Sequence, residues 1–487
     1  MKIGSRMTAL SPVSPRGTLH AMVSLTVALA FTPVLPGCLL LDPTDPYAEM
    51  PQRVLSEYGL VSDPTTGPAS RPTTQAAEGP ITLAKAVEIA VGNNPDLAAA
   101  SHDIDASWAE RDIAVGAILP KVNLQGGYTY FREERLIKPR RPGTLGVLGF
   151  SDQLVTGDIV LTMPLYTGGR LRSEVKAAEL ITQSAKQQLV RNRTELVFNV
   201  SSVFYSMLGH QEVINSMMFS RKALLEHRKT AKHMFNAQKA AKVDLLRTEV
   251  RLADIEQQVI RERNVLNIKR FYLASLLGLS RQHKPLHIEG KLGLGDVPAG
   301  LGEDTATALA NRQDYHSAKS RIDAQQKNVD IAQGRRLPEV SFRASYGNQW
   351  AADSHDENEV GEIGVFATIP VFEGGRIEAR IRREHCRLRA QRERLRKLEL
   401  QIRLEVETAT SNIESTHARV GVMQKAVEQA KESLRIERDK YDLGKGAIVD
   451  VLDAQAALLD SQTNYYRALA DYNTALAQFR LAVGETQ

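Results

Sequence analysis

Met163-Pro164-Leu165-Tyr166-Thr167-Gly168-Gly169-Arg170 and Ile369-Pro370-Val371-Phe372-Glu373-Gly374-Gly375-Arg376 are two versions of one segment, set 206 residues apart. Each closes an alternating apolar run and opens a long stretch without proline, residues 165–284 and 371–487. Proline removes a backbone donor and clashes with the preceding helical turn. Its absence over about 120 residues therefore permits very long helices.

The copies extend in both directions. Lys242-Val243-Asp244-Leu245-Leu246 matches Ile448-Val449-Asp450-Val451-Leu452 at the same offset of 206. Upstream, Asn94-Pro95-Asp96-Leu97 pairs with Arg312-Gln313-Asp314-Tyr315, and Leu119-Pro120-Lys121-Val122 with Leu337-Pro338-Glu339-Val340, both at 218. The chain is an internal duplication. The change of 12 between the two offsets places a length difference in the connection between the upstream and downstream landmarks.

Each repeat reads helix, strand, strand, helix, turn, helix. The first occupies about 81–280, with a helix near 82–118, strands near 120–131 and 157–165, a long helix near 170–235 and a helix near 245–278. A linker, 281–302, leads to the second at 303–485, with strands near 339–348 and 362–371, a long helix near 376–440 and a helix near 450–483. A 65-residue helix is roughly 100 Å long at ~1.5 Å per residue. No compact core buries such a length, so the helices must pack side by side. In the last helix Val451, Leu458, Tyr465, Tyr472 and Phe479 recur every seven residues, each followed three places on by Ala454, Ser461, Ala468, Ala475 or Ala482. Large knobs facing small holes are the pattern of an interdigitating pair. Leu245, Leu252, Val259, Leu266 and Leu273 keep the large row in the first repeat, where Glu262 and Lys269 intrude on the small one. With only 6% aromatic and 24% charged residues, the composition suits long hydrated helices better than several compact cores.

The strands alternate. Val122, Leu124, Gly126, Tyr128 and Tyr130 point one way; Asn123, Gln125, Gly127 and Thr129 point the other. Val340, Phe342, Ala344 and Tyr346 oppose Ser341, Arg343, Ser345 and Gly347, and the return strands carry Ile159, Leu161, Met163 and Ile363, Val365, Ala367, Ile369. A run of about ten residues with one apolar face and interfacial Tyr fits a membrane barrel strand. A soluble two-layer domain with helices covering the apolar faces is the alternative. Four strands cannot close a barrel, since the smallest membrane barrels use about eight. Lipid tolerates no open edge. Membrane-spanning strands would thus require several subunits in one barrel.

The N-terminus reads as an address. Lys2, Arg6 and Arg16 precede an apolar run, Ala21–Phe31, too short to span a bilayer and of secretory length. Leu35-Pro36-Gly37-Cys38 resembles a bacterial lipobox, although Pro36 is atypical there, making 1–37 a lipoprotein-type signal peptide and Cys38 the acylated first residue of the mature chain. Leu39, rather than Asp, favours outer-membrane sorting by that analogy. A plain signal peptide with an incidental Cys is the alternative. Eleven of the twenty prolines lie in residues 1–80, so 38–80 reads as an extended tether. Acylation would leave Cys386 as the only free thiol and allow no intrachain disulfide. The 62 Lys+Arg against 57 Asp+Glu give +5. Removing the three signal-segment cations leaves about +2, which does not indicate a nucleic-acid partner.

Tyr441-Asp442-Leu443-Gly444-Lys445-Gly446-Ala447-Ile448-Val449-Asp450-Val451-Leu452-Asp453-Ala454-Gln455, together with the duplicated Gly-Gly-Arg, resembles the TolC-like outer-membrane efflux protein family. The resemblance covers roughly residues 80–485. It implies a mostly α chain with a transmembrane β part, assembled as a homotrimer in which a 12-strand β-barrel continues into a long α-helical barrel. The linker 281–302 would belong to an equatorial belt. The implied role is a passive exit duct of a tripartite efflux or type I secretion system. A periplasmic adaptor and an inner-membrane transporter, proton-driven or ABC type, would open it. A non-pore periplasmic coiled-coil lipoprotein is the alternative function.

By position within the family motif, Asp450 and Asp453 match an acidic pair lining the periplasmic entrance. Asp244 and Tyr441 match residues that latch neighbouring helices there. An arginine of that latch falls on Gly446, with Lys445 adjacent, but an ammonium cannot form the same bidentate fork. For Asp244 and Asp450, each opening a helical pattern, N-capping is the competing role.

No enzyme motif is present: no HExxH, GxSxG or Walker-type loop. Gly293 and Gly295 lack a third glycine for a dinucleotide loop. Pro285 between His283 and His287 disfavours the helix a four-residue metal pair needs. The Arg-rich run from Arg376 is interleaved with Glu378, Glu384, Glu393, Glu399 and Glu405 and reads as a solvated helix face. No cofactor, metal or nucleic acid is implied.

Overall fold

The computed structural model describes residues 79–138, 149–238, 241–279, 286–295, 304–352 and 357–485. Cys38, the signal segment, and the tether up to residue 78 lie outside them, as do residues 280–285 and 296–303 of the linker region. In chain order the elements are α1 (Leu83–Asn93), α2 (Pro95–Gly116), β1 (Lys121–Lys138), β2 (Gly149–Tyr166), α3 (Arg170–Asn236), α4 (Lys242–Leu276), α5 (Asp304–Asn311), α6 (Gln313–Gly334), β3 (Glu339–Ala351), β4 (Glu357–Thr368), α7 (Arg376–Asp442) and α8 (Ile448–Val483). Among the described residues no helix is long and apolar enough to cross a membrane.

The two long helices α3 and α7 have 67 residues each. Both begin at the Gly-Gly-Arg signature for a conformational reason. Gly168 and Gly169 adopt φ of 61° and 77°, Gly374 and Gly375 61° and 75°. Two consecutive left-handed residues turn the strand into the helix, a conformation glycine adopts without a Cβ penalty.

The helix expected near 82–118 is two helices. Pro95 has no N–H to continue α1 and drives Asn94 to an extended ψ of 124°. Asn94 then caps α2, its Oδ1 accepting from Asp96 N at 2.9 Å and Leu97 N at 3.3 Å. Its Nδ2 donates to Leu276 O, 3.0 Å away at the end of α4. So α4 abuts the α1–α2 joint, and these three helices run alongside α3.

The second repeat builds the same joint with different chemistry. Arg312, the counterpart of Asn94, has the same extended backbone, ψ 120°. Its guanidinium donates to Ala482 O at 3.4 Å, the counterpart of Leu276 O. It also pairs with Asp314 at 2.7 Å and Glu405 at 2.5 Å while its side chain is 1% exposed. Burial disfavours its charge, but the two carboxylates outweigh that and raise its pKa. The Asp314 carboxyl is likewise held below its ordinary value by Arg312 and Arg191 despite burial.

The core is a set of interhelical layers. Phe204, Met207, Leu266 and Leu273 pack with Ala86, Ala90 and Ile104 in the first repeat. Ile402, Ile413, Tyr472 and Phe479 pack in the second. A third layer joins α3, α4 and α8 through Val213, Met217, Leu252, Val259, Ile448 and Val451. The seven-residue rows of α8 and α4 supply much of this core, with Val451 and Tyr472 fully buried. Glu262, the intruder in the small row, is buried but met by His210 at 2.7 Å and Arg467 at 2.9 Å.

The strands form one antiparallel sheet in the order β1-β2-β3-β4. β1 and β2 reach Lys138 and Gly149, beyond the expected ends, through register shifts past Tyr130. Lys121 opposes Thr162 in the first pair and Glu339 opposes Thr368 in the second. These are equivalent positions under the 218 and 206 offsets, so the length difference lies in the distal part of the hairpins. Across the sheet, Leu124 opposes Ile159, Ile159 opposes Tyr346, Met163 opposes Phe342 and Phe342 opposes Val365. Opposed residues share a face, so the apolar residues form one continuous band. No helix covers it: Leu124 is 83% and Ile363 80% exposed. That is the opposite of the soluble two-layer alternative. Among the described residues, the outer edges of β1 and β4 carry no further strand.

Candidate functional site at the helical tip

Both helical hairpins, α3–α4 and α7–α8, turn at the same end, and their turns are copies. α7 closes with Gly444 at φ 70°, whose N–H donates to Tyr441 O at 2.9 Å. Gln238 takes the equivalent left-handed place, φ 63°, after α3. Ala241 and Ala447 then precede α4 and α8 with extended backbones, and Asp244 and Asp450 fall in the first turns.

The structure gives the candidate gate residues different surroundings. Asp450 is exposed, and its Oδ2 accepts from Ala447 N at 3.4 Å, a capping contact. Asp453, also exposed, receives the Arg251 guanidinium at 3.2 Å. Asp244 is half-buried and Tyr441 half-buried beside it. The Tyr441 hydroxyl approaches Met234 Sδ at 3.8 Å rather than hydrogen-bonding Asp244. Partial burial, then the nearby Asp244 and Asp442 carboxylates, raise its pKa. Asp244 and Tyr441 are thus brought together electrostatically but are not bonded within the protomer. Lys445 is exposed and, among the described residues, its ammonium has no ion-pair partner.

Three cross-hairpin contacts escaped the sequence reading. Arg251 joins α4 to α8. The Arg438 Nη2 lies 3.4 Å from His227 Nε2, joining α7 to α3. Burial, and then the Arg438 charge, lower the His227 pKa, with Asp442 opposing. Met234 meets Tyr441 across the same groove. Arg251 had one available signal: its repeat counterpart is Ala457, and the counterpart of Asp453 is Arg247. The pair breaks the duplication where the rest of the turn preserves it. Chemically, the tip offers carboxylates and charge pairs. Among the described residues there is no group of three His, Cys, Asp or Glu able to hold a metal.

A sheet with a bare apolar band, running directly into paired 67-residue helices and repeated twice, defines an outer-membrane protein with a long helical extension. Residues 86–279 and 306–485 match the model of the outer membrane efflux protein family, and the chain belongs to that family. It is 23% identical over 413 residues to outer membrane protein TolC of Vibrio cholerae, covering 82% of this chain and 90% of the relative. It is 22% identical over 472 residues to nodulation protein T of Rhizobium leguminosarum bv. trifolii, covering 93% and 96%. The solved outer membrane protein VceC of Vibrio cholerae superposes with a TM-score of 0.69 at 19% identity, over 82% of this chain and 96% of that one. The chain is an exit duct of the Gram-negative outer membrane, extending into the periplasm.

Proposed function

We propose that three copies of this chain form a passive export tunnel whose periplasmic entrance is the α3–α4/α7–α8 tip, opened by a periplasmic adaptor and an inner-membrane transporter. The observation that carries the reading is the four-stranded sheet with one exposed apolar band and two unpaired edges. Water leaves the band uncovered, and lipid leaves the edges unsatisfied unless other copies close the sheet. Three copies give twelve strands, an even number within the range of membrane barrels. No catalytic step is involved; energy comes from the transporter.

At the entrance, Asp450 and Asp453 from each copy place six carboxylates around one axis. Crowded carboxylates focus a negative potential that attracts cations. Asp244 and Tyr441 act as latch residues between hairpins, with Lys445 close to the turn where a cation would serve the same purpose. Cys38 anchors the N-terminus to the outer membrane by its acyl chains.

The test is reconstitution of the full chain. Heat-modifiable trimers in the outer-membrane fraction that conduct in planar bilayers, together with increased compound accumulation on deletion, are the expected result. A water-soluble monomer without conductance would overturn it. Cys38→Ala, followed by loss of palmitate labelling, checks the anchor separately.

A further inference from the structure

The chain contains one complete interface between repeats, and its two outer faces are the two halves of another. Within the protomer, β2 pairs with β3, α3 packs against α6, and α3 packs against α8. Moving each partner to its counterpart in the other repeat, β2 and α3 forward by 206, β3 and α6 back by 218 and α8 back by 206, puts β4 against β1, α7 against α2, and α7 against α4. Among the described residues β4 and β1 form no hydrogen-bonded ladder within the protomer, and α7 nears α4 at the tip, where Tyr441 lies beside Asp244. We infer that a second copy of this chain completes the two outer faces in the same register, fastened by an Asp96–Lys397 ion pair and a His102–Glu393 hydrogen bond. The inference rests on the trimeric reading above and goes beyond it by fixing which residues meet.

The residues at the two halves are complementary. Arg191 lies 3.8 Å from Asp314 inside the protomer; the transferred pair is Lys397 and Asp96, again opposite in charge. Among the described residues neither has an ion-pair partner of its own. Ser320 Oγ donates to Gln187 Oε1 at 2.9 Å; the transferred pair is His102 and Glu393, a donor and a carboxylate. Each has only a loose partner on its own helix, Asp105 at 3.7 Å and Arg396 at 4.0 Å.

Apolar character is matched as well. Phe198 on α3 and Ala477 on α8 line one groove. Their counterparts are Leu404 and Phe271, again both apolar, and both are bare, 63% and 66% exposed. At the sheet, Ile159 opposite Tyr346 becomes Val365 opposite Tyr128, and Val160 opposite Ser345 becomes Phe366 opposite Gly127. Phe372, four residues past β4, is 87% exposed where its counterpart Tyr166, paired with Val340, is 48% exposed.

The experiment is a charge-swap cycle on the full chain in detergent. Asp96→Lys and Lys397→Asp each lower the temperature at which trimers dissociate, by about 3 °C or more given three junctions per trimer. The double swap recovers most of that loss. In a Cys386→Ser background, the cysteine pairs Tyr128→Cys/Val365→Cys and Gly127→Cys/Phe366→Cys are made in parallel. Antiparallel ladders alternate closer and wider pairs, so at least one links copies on oxidation, while Tyr128→Cys/Ile369→Cys, four positions out of register, does not. Trimers in which the double swap loses as much as the two single changes combined, or in which the out-of-register pair links best, overturn the inference and leave the duct reading intact. Absence of wild-type trimers overturns both.

Discussion

Arg251 and Asp453 meet at 3.2 Å between α4 and α8, so half of the acidic positions at the proposed entrance carry a guanidinium in contact. Both side chains are about half exposed, and a pair of that kind is worth at most about 1 kcal/mol. Its effect on ions at the pore is more direct, because it neutralises one carboxylate of two. Arg251→Ala should tighten block of single-channel conductance by a polyvalent cation, by up to roughly fivefold. Asp453→Ala should weaken block, and the double variant should behave as Asp453→Ala alone. Equal block by wild type and Arg251→Ala would show that the pair faces away from the ion path.

The buried joint of the second repeat is expected to dominate stability. Arg312→Ala takes the shared buried guanidinium from Asp314 and Glu405, leaving Asp314 the more distant Arg191 at 3.8 Å, and breaking a buried pair costs about 3–5 kcal/mol. Asn94→Ala at the equivalent joint loses an N-cap and one side-chain bond, about 0.5–2 kcal/mol. Denaturant midpoints of the two variants, read against wild type, check the order. A larger loss for Asn94→Ala would contradict it.

Asp314 adds a pH dependence with a defined sign. Its folded pKa is depressed, so its contribution is present above the unfolded value of about 3.9 and lost as pH falls through the lower folded value. Asp314→Asn should therefore melt well below wild type at pH 7, and the gap should narrow below about pH 4. A gap that stays constant from pH 7 to pH 3 would remove Asp314 as the titrating partner of Arg312.

These joints also show where sequence reading stops. The duplication, the long helices and the alternating strands were legible because glycine pairs, proline-free runs and period-two patterns are local signals. Pro95 marks the break in the first repeat, but at Arg312 nothing local does. Only the fold brings Glu405, 93 residues on, to its guanidinium. Arg251 was hidden for a related reason: a charged residue on a charged helix face looks solvated until α8 is placed beside it. Strand ends past Tyr130 depend on irregular register, which alternation does not encode. Of the proposed entrance residues, the helix-opening aspartates were readable from their position after the turn, whereas their different partners were not.

The apolar band gives a test of orientation. Leu124→Lys and Ile363→Lys place an ammonium on the face that lipid should cover, costing about 2–4 kcal/mol near the midplane and less toward an interface. Gln125→Lys and Ser345→Lys, on the opposite face, should assemble normally and alter conductance instead. The measurement is the yield of heat-modifiable protein in the outer-membrane fraction. Equal tolerance on both faces would mean that the band does not contact lipid.

Gly168 and Gly374 separate folding from assembly. Both have φ of 61°, so an alanine at either is strained by about 1–2 kcal/mol. At Gly168 the added Cβ would also lie 2.5 Å from Gly334 O and 2.7 Å from Leu337 Cβ, inside the protomer. Gly374 has nothing within 4 Å there, nor does Gly116, the counterpart of Gly334. If neighbouring copies repeat the internal contact, the Gly374 Cβ meets the Gly116 carbonyl and Leu119 of the adjacent copy. Gly168→Ala should then lower the amount of folded protomer, whereas Gly374→Ala should leave the protomer folded and deplete trimers. Circular dichroism gives the first quantity and chemical cross-linking the second. Wild-type trimer levels in Gly374→Ala would mean that the outer turn stays free of any neighbour.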